Sequence, residues 1–425
     1  VSDATTTTTP APQGAPTGGA SDTGDSRGSR LLREITTGNA AISVLAVVLA
    51  LVVSGLLIGF TDPDVQATTG YFFSRPSDFF QAFWASVGGS YSSLFQGAVY
   101  NFRVDGFAAG IRPLTETLNY SVPLIAAGLG VALAFRVGLF NIGARGQMLT
   151  AAGAAGWVGF SFDLPLAVHL PLALLAGIAG GAVWGGIVGL LKARTGAHEV
   201  ILTIMLNYVA FYLIAYALRT PGLLQAPGSP NPKSPATLPS AVLPDLFGAR
   251  YNLNWGFLLV IVITAVVWWL INRSTLGFRF RAVGENPHAA RTAGMNVKNI
   301  YLYAMLISGA LAGVAGSTQV LGTLTTGFTS GIDAGIGFDA ITVALLGRSR
   351  PWGVFGAGIL FGALKAGGYS MQAANGVPID IVLVVQSLIV LFVAAPPLVR
   401  SIFRLPAPGA PRVPRGSKKE AVVTK

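Results

Sequence analysis

Long apolar runs, most without a single Asp, Glu, Lys or Arg, alternate along this chain with short basic segments. Residues 40–60 form the first run. Runs at 117–135, 146–162, 165–191, 200–218, 253–272, 299–321, 337–347, 353–371 and 379–398 follow. About 20 apolar residues cross a bilayer as a helix, so the pattern predicts an all-α, polytopic membrane protein of about ten transmembrane helices. Run 40–60 is longer than the apolar stretch of a signal peptide, and no small-residue cleavage pattern follows it, so it reads as a retained first span.

Two segments break the pattern. Residues 138–147 (GLFNIGARGQ) and 322–347 (GTLTTGFTSGIDAGIGFDAITVALLG) are punctuated by glycine and carry polar or charged residues at membrane depth. Each lies within its own group of spans, one in 117–218 and one in 299–398. Interrupted helices at corresponding places in two related halves point to a transport site.

Between the runs ending at Asn272 and beginning at Asn299 stands a charged island, RSTLGFRFRAVGENPHAARTAGMNVK (273–298). Within it Asn286 is placed to cap a short helix with Pro287 at its first position. Ala289, Ala290, Ala293 and Gly294 give that helix small side chains, which suit close approach by another protein. The alternative is a solvated loop whose basic residues only fix topology. Residues 219–250 hold seven prolines and should form an irregular connector. Residues 77–101 carry aromatics near helical spacing, which fits a helix in the membrane interface or one packed on the bundle.

Composition sharpens this picture. Hydrophobic residues are 52% and charged residues 11% of the chain, against roughly 25% charged in soluble domains. The absence of cysteine excludes disulfides, Cys-ligated zinc and thiol catalysis, and the three histidines lie too far apart in sequence to point to a metal site. A net charge of +11 could signal nucleic acid, but the basic residues flank the apolar runs and read as topology. With the N-terminus inside, the cytoplasmic segments hold 19 basic residues and the two long external loops 6. That bias predicts cytoplasmic N- and C-termini. The expected domains are a disordered tail (1–35), the membrane domain (36–400) with the basic loop 273–298, and a basic tail (401–425).

Polar residues inside spans are the candidate chemistry: Asn119, Asn141, Gln147, Asn207, Gln319, Asp339, Gln372 and Gln386, with Lys365 the lone basic residue. Such residues usually face a bundle interior or a wet cavity. Hydrogen bonding between helices is the alternative reading for each.

Four motifs in order, GLFNIGARGQ (138–147), HEVILTIMLNY (198–208), RAVGENPHAARTAG (281–294) and GIGFDAITVALLGRSRPWG (335–353), make the chain resemble the permease subunits of bacterial ABC importers. The resemblance covers roughly residues 114–396. It is strongest to the branch of the ribose and branched-chain amino-acid permeases, and within it to nucleoside and simple-sugar transporters.

The resemblance implies a coupling helix that docks on a separate ATPase, involving Gly284, Glu285, Asn286, Ala289, Ala290, Ala293 and Gly294. It also implies placement in the bacterial inner membrane, a second permease that is a different homologous chain, an extracytoplasmic substrate-binding lipoprotein, and ATP with magnesium held by the ATPase and not by this chain. Two positions depart from the family pattern: His288 stands where a Glu is usual before the Ala-Ala pair, and Arg145 where Glu is common. For a nucleoside, Asn141, Gln147 and Asn207 offer hydrogen bonds, and Phe140, Tyr208, Tyr212 and Phe328 offer stacking surfaces. No G-x-x-x-x-G-K-[ST] loop occurs, so energy must come from elsewhere. A stand-alone secondary transporter would need paired carboxylates at the midplane, and a channel a repeated selectivity element.

Overall fold

The computed structural model describes residues 39–248 and 250–403, and all secondary structure there is helical apart from one isolated bridge between Asp245 and Asn254. The expected tail at 1–35 and all but the first three residues of the tail at 401–425 lie outside the described residues. The chain opens with α1 (Asn39–Thr61), the short α2 (Pro63–Thr69), α3 (Pro76–Ala98) and the single turn α4 (Phe107–Gly110). The first half of the core is α5 (Arg112–Arg136), α6 (Ala144–Ser161), α7 (Leu166–Thr195) and α8 (Glu199–Ala217). An elbow follows α9 (Gly256–Arg273) and consists of α10 (Thr275–Glu285) and α11 (Pro287–Thr292). The second half is α12 (Val297–Thr318), a π turn (Gln319–Thr323), α13 (Ile336–Leu346), α14 (Pro351–Asn375) and α15 (Ile379–Ala394), and α16 (Pro396–Ile402) closes the described chain.

Every apolar run is helical. Among the described residues, six helical segments are long and apolar enough to cross a membrane: those at Val44–Thr61, Phe107–Arg136, Leu166–Thr195, Glu199–Ala217, Gly256–Arg273 and Val297–Thr323. Helix α3 packs against α14 and α1, which favours the bundle-packed reading of residues 77–101.

The two halves are interlocked. Helix α5 packs on α13 and α14 of the second half, while α12 packs on α6 and α7 of the first. The reciprocity comes from small residues. Gly177, Gly181, Gly185 and Gly189 recur every fourth position of α7, on the face that meets Gly309 and Gly313 of α12. A Cβ at Gly181 or Gly309 would run into the other's carbonyl, so the two backbones touch directly. Membrane helices associate through such close packing, because lipid tails are as apolar as the side chains and give no hydrophobic drive. Gly362 of α14 does the same for α5, where a Cβ would sit 2.6 Å from the Thr117 carbonyl oxygen.

The Pro-rich connector is irregular, as its composition implies, with one 3-10 turn at Pro239–Ala241. It is nonetheless fixed in place. Ser234, Thr237 and Leu243 donate backbone N–H bonds of 3.0, 2.8 and 2.7 Å to the carbonyls of Phe328, Thr325 and Leu321. Buried His169 of α7 adds ring contacts to Ser240 Oγ at 2.8 Å and the Val158 carbonyl at 3.0 Å. These bonds satisfy backbone groups freed where the second half leaves helical geometry, as buried backbone requires.

Candidate translocation site and docking surface

Both predicted interruptions are real breaks. Helix α5 ends at Arg136 and α6 begins at Ala144; after the π turn, α13 begins only at Ile336. The first break enters from the elbow end of the bundle, where Gly138 lies beside Gly284. The second enters from the opposite end, where the Pro-rich connector holds it. Helix α13 has 11 residues, about 16 Å at 1.5 Å per residue, or half the roughly 30 Å apolar core of a bilayer. The breaks therefore meet near mid-depth. There Arg145 Nε of α6 stands 3.2 Å from Asp333 Oδ2. The Arg145 guanidinium also lies over the Phe211 ring, 5.3 Å from its centroid.

The turn that presents Asp333 is unusual. Ala334 has φ +43 and Gly335 φ +80, a left-handed pair that costs a residue with a Cβ about 1 kcal/mol or more. Lys365 Nζ of α14 donates to the Ala334 carbonyl at 3.2 Å and offsets part of this cost. Gly337 completes the joint, because a Cβ there would fall 2.6 Å from the Arg145 backbone. Two carboxylates, Asp339 and Asp333, act on the Lys365 charge. Asp333 pairs with Arg145, while Lys365 bonds the turn and faces Asp339 across a longer gap.

The three candidate amides form one buried network. Asn141 Nδ2 donates to Ser308 Oγ at 2.8 Å and to Gln147 Oε1 at 3.2 Å; Ser308 in turn donates to the Gly130 carbonyl at 2.7 Å. Asn207 Oδ1 accepts from the Gly146 N–H at 2.8 Å, and its Nδ2 donates to the Ile142 carbonyl at 3.0 Å. All three are 5% exposed or less, so their partners are protein groups that frame the first break. Ser308 is the member that sequence reasoning missed, and nothing distinguishes it from other serines in apolar runs. An ion pair, Lys192 Nζ with Glu199 Oε2 at 2.8 Å, closes the α7–α8 connection below the same break.

The aromatic candidates disperse. Phe328 is buried against Gly156, whereas Phe140, Tyr208 and Tyr212 are exposed. Tyr208 and Tyr212 share the outer face of α8 with Ile201, Met205, Val209 and Leu213, an apolar surface suited to lipid.

At the elbow, Asn286 caps α11 as expected: its Oδ1 accepts from the N–H groups of His288 and Ala289, both at 3.0 Å. The far end closes with Met295 N–H on the Ala290 carbonyl and Gly294 N–H on the Arg291 carbonyl, both 3.0 Å. This double bond pattern needs a left-handed residue, and Gly294 supplies it at φ +82. Glu285, Asn286, Ala289, Ala293 and Gly294 are exposed, and none of the described residues covers them. Two other members of the expected docking set point inward. Ala290 belongs to the core, and Gly284 presses on the Arg136 carbonyl at the end of α5. Arg136 in turn donates from Nε to the Ser349 carbonyl at 3.0 Å, in the connection just after α13. One chain of contacts therefore runs from the elbow through α5 to the half-helix that reaches mid-depth.

Residues 114–394 match the family model described as branched-chain amino acid transport system / permease component. The chain belongs to this permease family. Among curated relatives, the permease is 41% identical over 317 residues to the guanosine ABC transporter permease protein NupP of Bacillus subtilis, covering 75% of this chain and 88% of that one. It is 38% identical to the glucose ABC transporter permease protein TsgB13 of Haloferax volcanii, over 66% of this chain and 75% of that one. The nucleoside ABC transporter permease protein NupB of Lactococcus lactis is 34% identical, with 67% and 79% covered. A second guanosine permease of the Bacillus strain, NupQ, is also related to this permease, at 29% identity over 58% of this chain and 78% of its own length. No solved structure matches the permease.

Proposed function

We propose that this permease is one membrane subunit of an ATP-driven importer of nucleosides. Its elbow docks on a cytoplasmic ATPase that holds the ATP and magnesium, a substrate-binding lipoprotein delivers the nucleoside outside, and a related second permease completes the pathway. The pairing of NupP with NupQ in one strain supports two different permease chains. About ten crossings with both termini inside agree with the basic-residue bias.

The observation that carries this reading is the contact chain from Gly284 to Arg136 to Ser349. It joins an exposed, small-residue elbow to α13, whose other end carries the turn at Asp333–Gly335. A displacement of the elbow by the ATPase moves α13 as a unit, since an α-helix is stiff over this length. The pathway then runs along the α13–α14 face. Asp339 and Lys365 lie partly open there at membrane depth, where a lipid-facing charge is costly. Asn141, Gln147 and Asn207 act on that pathway as positioning residues that hold the first break and hence Arg145.

Vesicles containing the complete importer test the reading. ATP-dependent accumulation of guanosine, with none of glucose, is the expected result. Glucose uptake in its place would transfer the assignment to simple sugars, the second reading, which the similarity to TsgB13 favours. Uptake by this chain without an ATPase would overturn both.

A further inference from the structure

A small cavity of about 250 Å³ lies between α13, α14 and α15, away from the amide network. Its polar lining is Asp339 and Thr342 from α13 and Gln386 and Ser387 from α15; Phe361, Leu383 and Val390 supply the apolar remainder. Gln386 is only 6% exposed, yet it makes no hydrogen bond with any described residue. Its amide atoms are not sealed off but reach the cavity, so a ligand there can take up the hydrogen bonds they lack. Ser387 uses its proton on the Leu383 carbonyl at 2.8 Å, which leaves its oxygen free to accept. The Asp339 carboxylate has the Lys365 charge facing it but accepts no hydrogen bond from a described residue.

We propose that this cavity is a diol subsite, which takes the vicinal hydroxyls of the sugar ring of the transported molecule. The inference rests on the importer reading above and adds the group that the membrane subunit recognises. Adjacent hydroxyls both donate and accept. Asp339 and Gln386 Oε1 accept their protons, while Gln386 Nε2 and the Thr342 hydroxyl donate to their oxygens. Phe361, Leu383 and Val390 cover the C–H face of the ring. The volume admits one such ring and leaves the base outside, toward the open α13–α14 face. Ribonucleosides and simple sugars share this chemistry; nucleosides lacking both ribose hydroxyls do not.

The experiment compares uptake of guanosine and 2′,3′-dideoxyguanosine by the complete importer, with the same binding lipoprotein and ATPase throughout. Discrimination by the lipoprotein then cancels between wild type and variant. Gln386→Leu and Thr342→Val should each lower the guanosine preference by roughly three- to tenfold, the value of one hydrogen bond, with ATPase co-purification unchanged. An equal fall for both substrates, or an unchanged preference, overturns the subsite. If the wild type carries glucose and no nucleoside, the substrate reading fails. The subsite then stands or falls on the same comparison between glucose and a dideoxyglucose.

A labelling measurement covers the case in which the variants do not assemble. The chain has no cysteine, so Ser387→Cys places one thiol at the cavity rim. A membrane-impermeant methanethiosulfonate should modify it, and guanosine should protect it better than the dideoxy form. An unreactive thiol means a cavity closed to water, which overturns the proposal.

Discussion

Arg145 and Asp333 meet at 3.2 Å, each supplied by a break that enters the bundle from an opposite end. The pair joins the two halves where their breaks meet, with Asp333 buried and Arg145 partly open. Discontinuous helices meeting near the midplane are a recurring geometry of transport sites, and here their meeting point is ionic.

Breaking that pair should be severe. Arg145→Ala strands the buried Asp333 carboxylate, at a cost of about 3–5 kcal/mol, while Asp333→Ala leaves a partly exposed guanidinium over Phe211 and costs less. Both variants should lose assembled complex in detergent thermal-shift measurements, Arg145→Ala the more. The exchanged pair, with Arg145→Asp and Asp333→Arg together, should recover part of the loss. Equal stability of the single variants and the wild type would remove the ion pair from the account.

Alanine at Asn207 frees the Gly146 N–H and the Ile142 carbonyl, both beside the first break. The expected cost is about 1–2 kcal/mol of stability, with uptake of every nucleoside reduced by one common factor. A variant that changed the preference between nucleosides would place Asn207 in contact with substrate.

The elbow divides into two sets that substitution separates. Trp at Ala289 or Ala293 should abolish co-purification of the ATPase while the permease still inserts, since these positions are exposed. Trp at Ala290 should instead lower the yield of the permease itself, because that side chain packs in its own core. Normal ATPase binding by Ala293→Trp would mean that another surface docks.

Topology can be read by labelling single cysteines in this Cys-free chain. A thiol at Ser229, in the Pro-rich connector, should react with an impermeant reagent added outside intact cells. One at Thr275, exposed at the start of α10, should react only after the membrane is opened. Reaction of Thr275→Cys from outside reverses the arrangement and places the elbow beyond reach of any cytoplasmic ATPase.

Much of this protein follows from local sequence alone. Apolar runs became helices because a segment in lipid must satisfy its own backbone hydrogen bonds. The cap at Asn286, the helix start at Pro287 and the left-handed close at Gly294 are set by residues within one or two turns of each other. The two breaks were equally legible, since glycine and polar residues interrupt apolar periodicity in place. Partnership was not legible. Asp333 belongs to Arg145 and not to Lys365 because the glycine faces of α7 and α12 and the breaks of both halves fix which elements come together. That Asn141, Gln147 and Asn207 bond protein groups while Gln386 bonds none of the described residues was likewise decided by the fold. The same choice turned Ala290 inward and left Ala289 exposed. Neighbours on a helix differ by 100° in direction, so the face a side chain shows depends on how the whole helix is rotated against its neighbours, which only the packed structure determines.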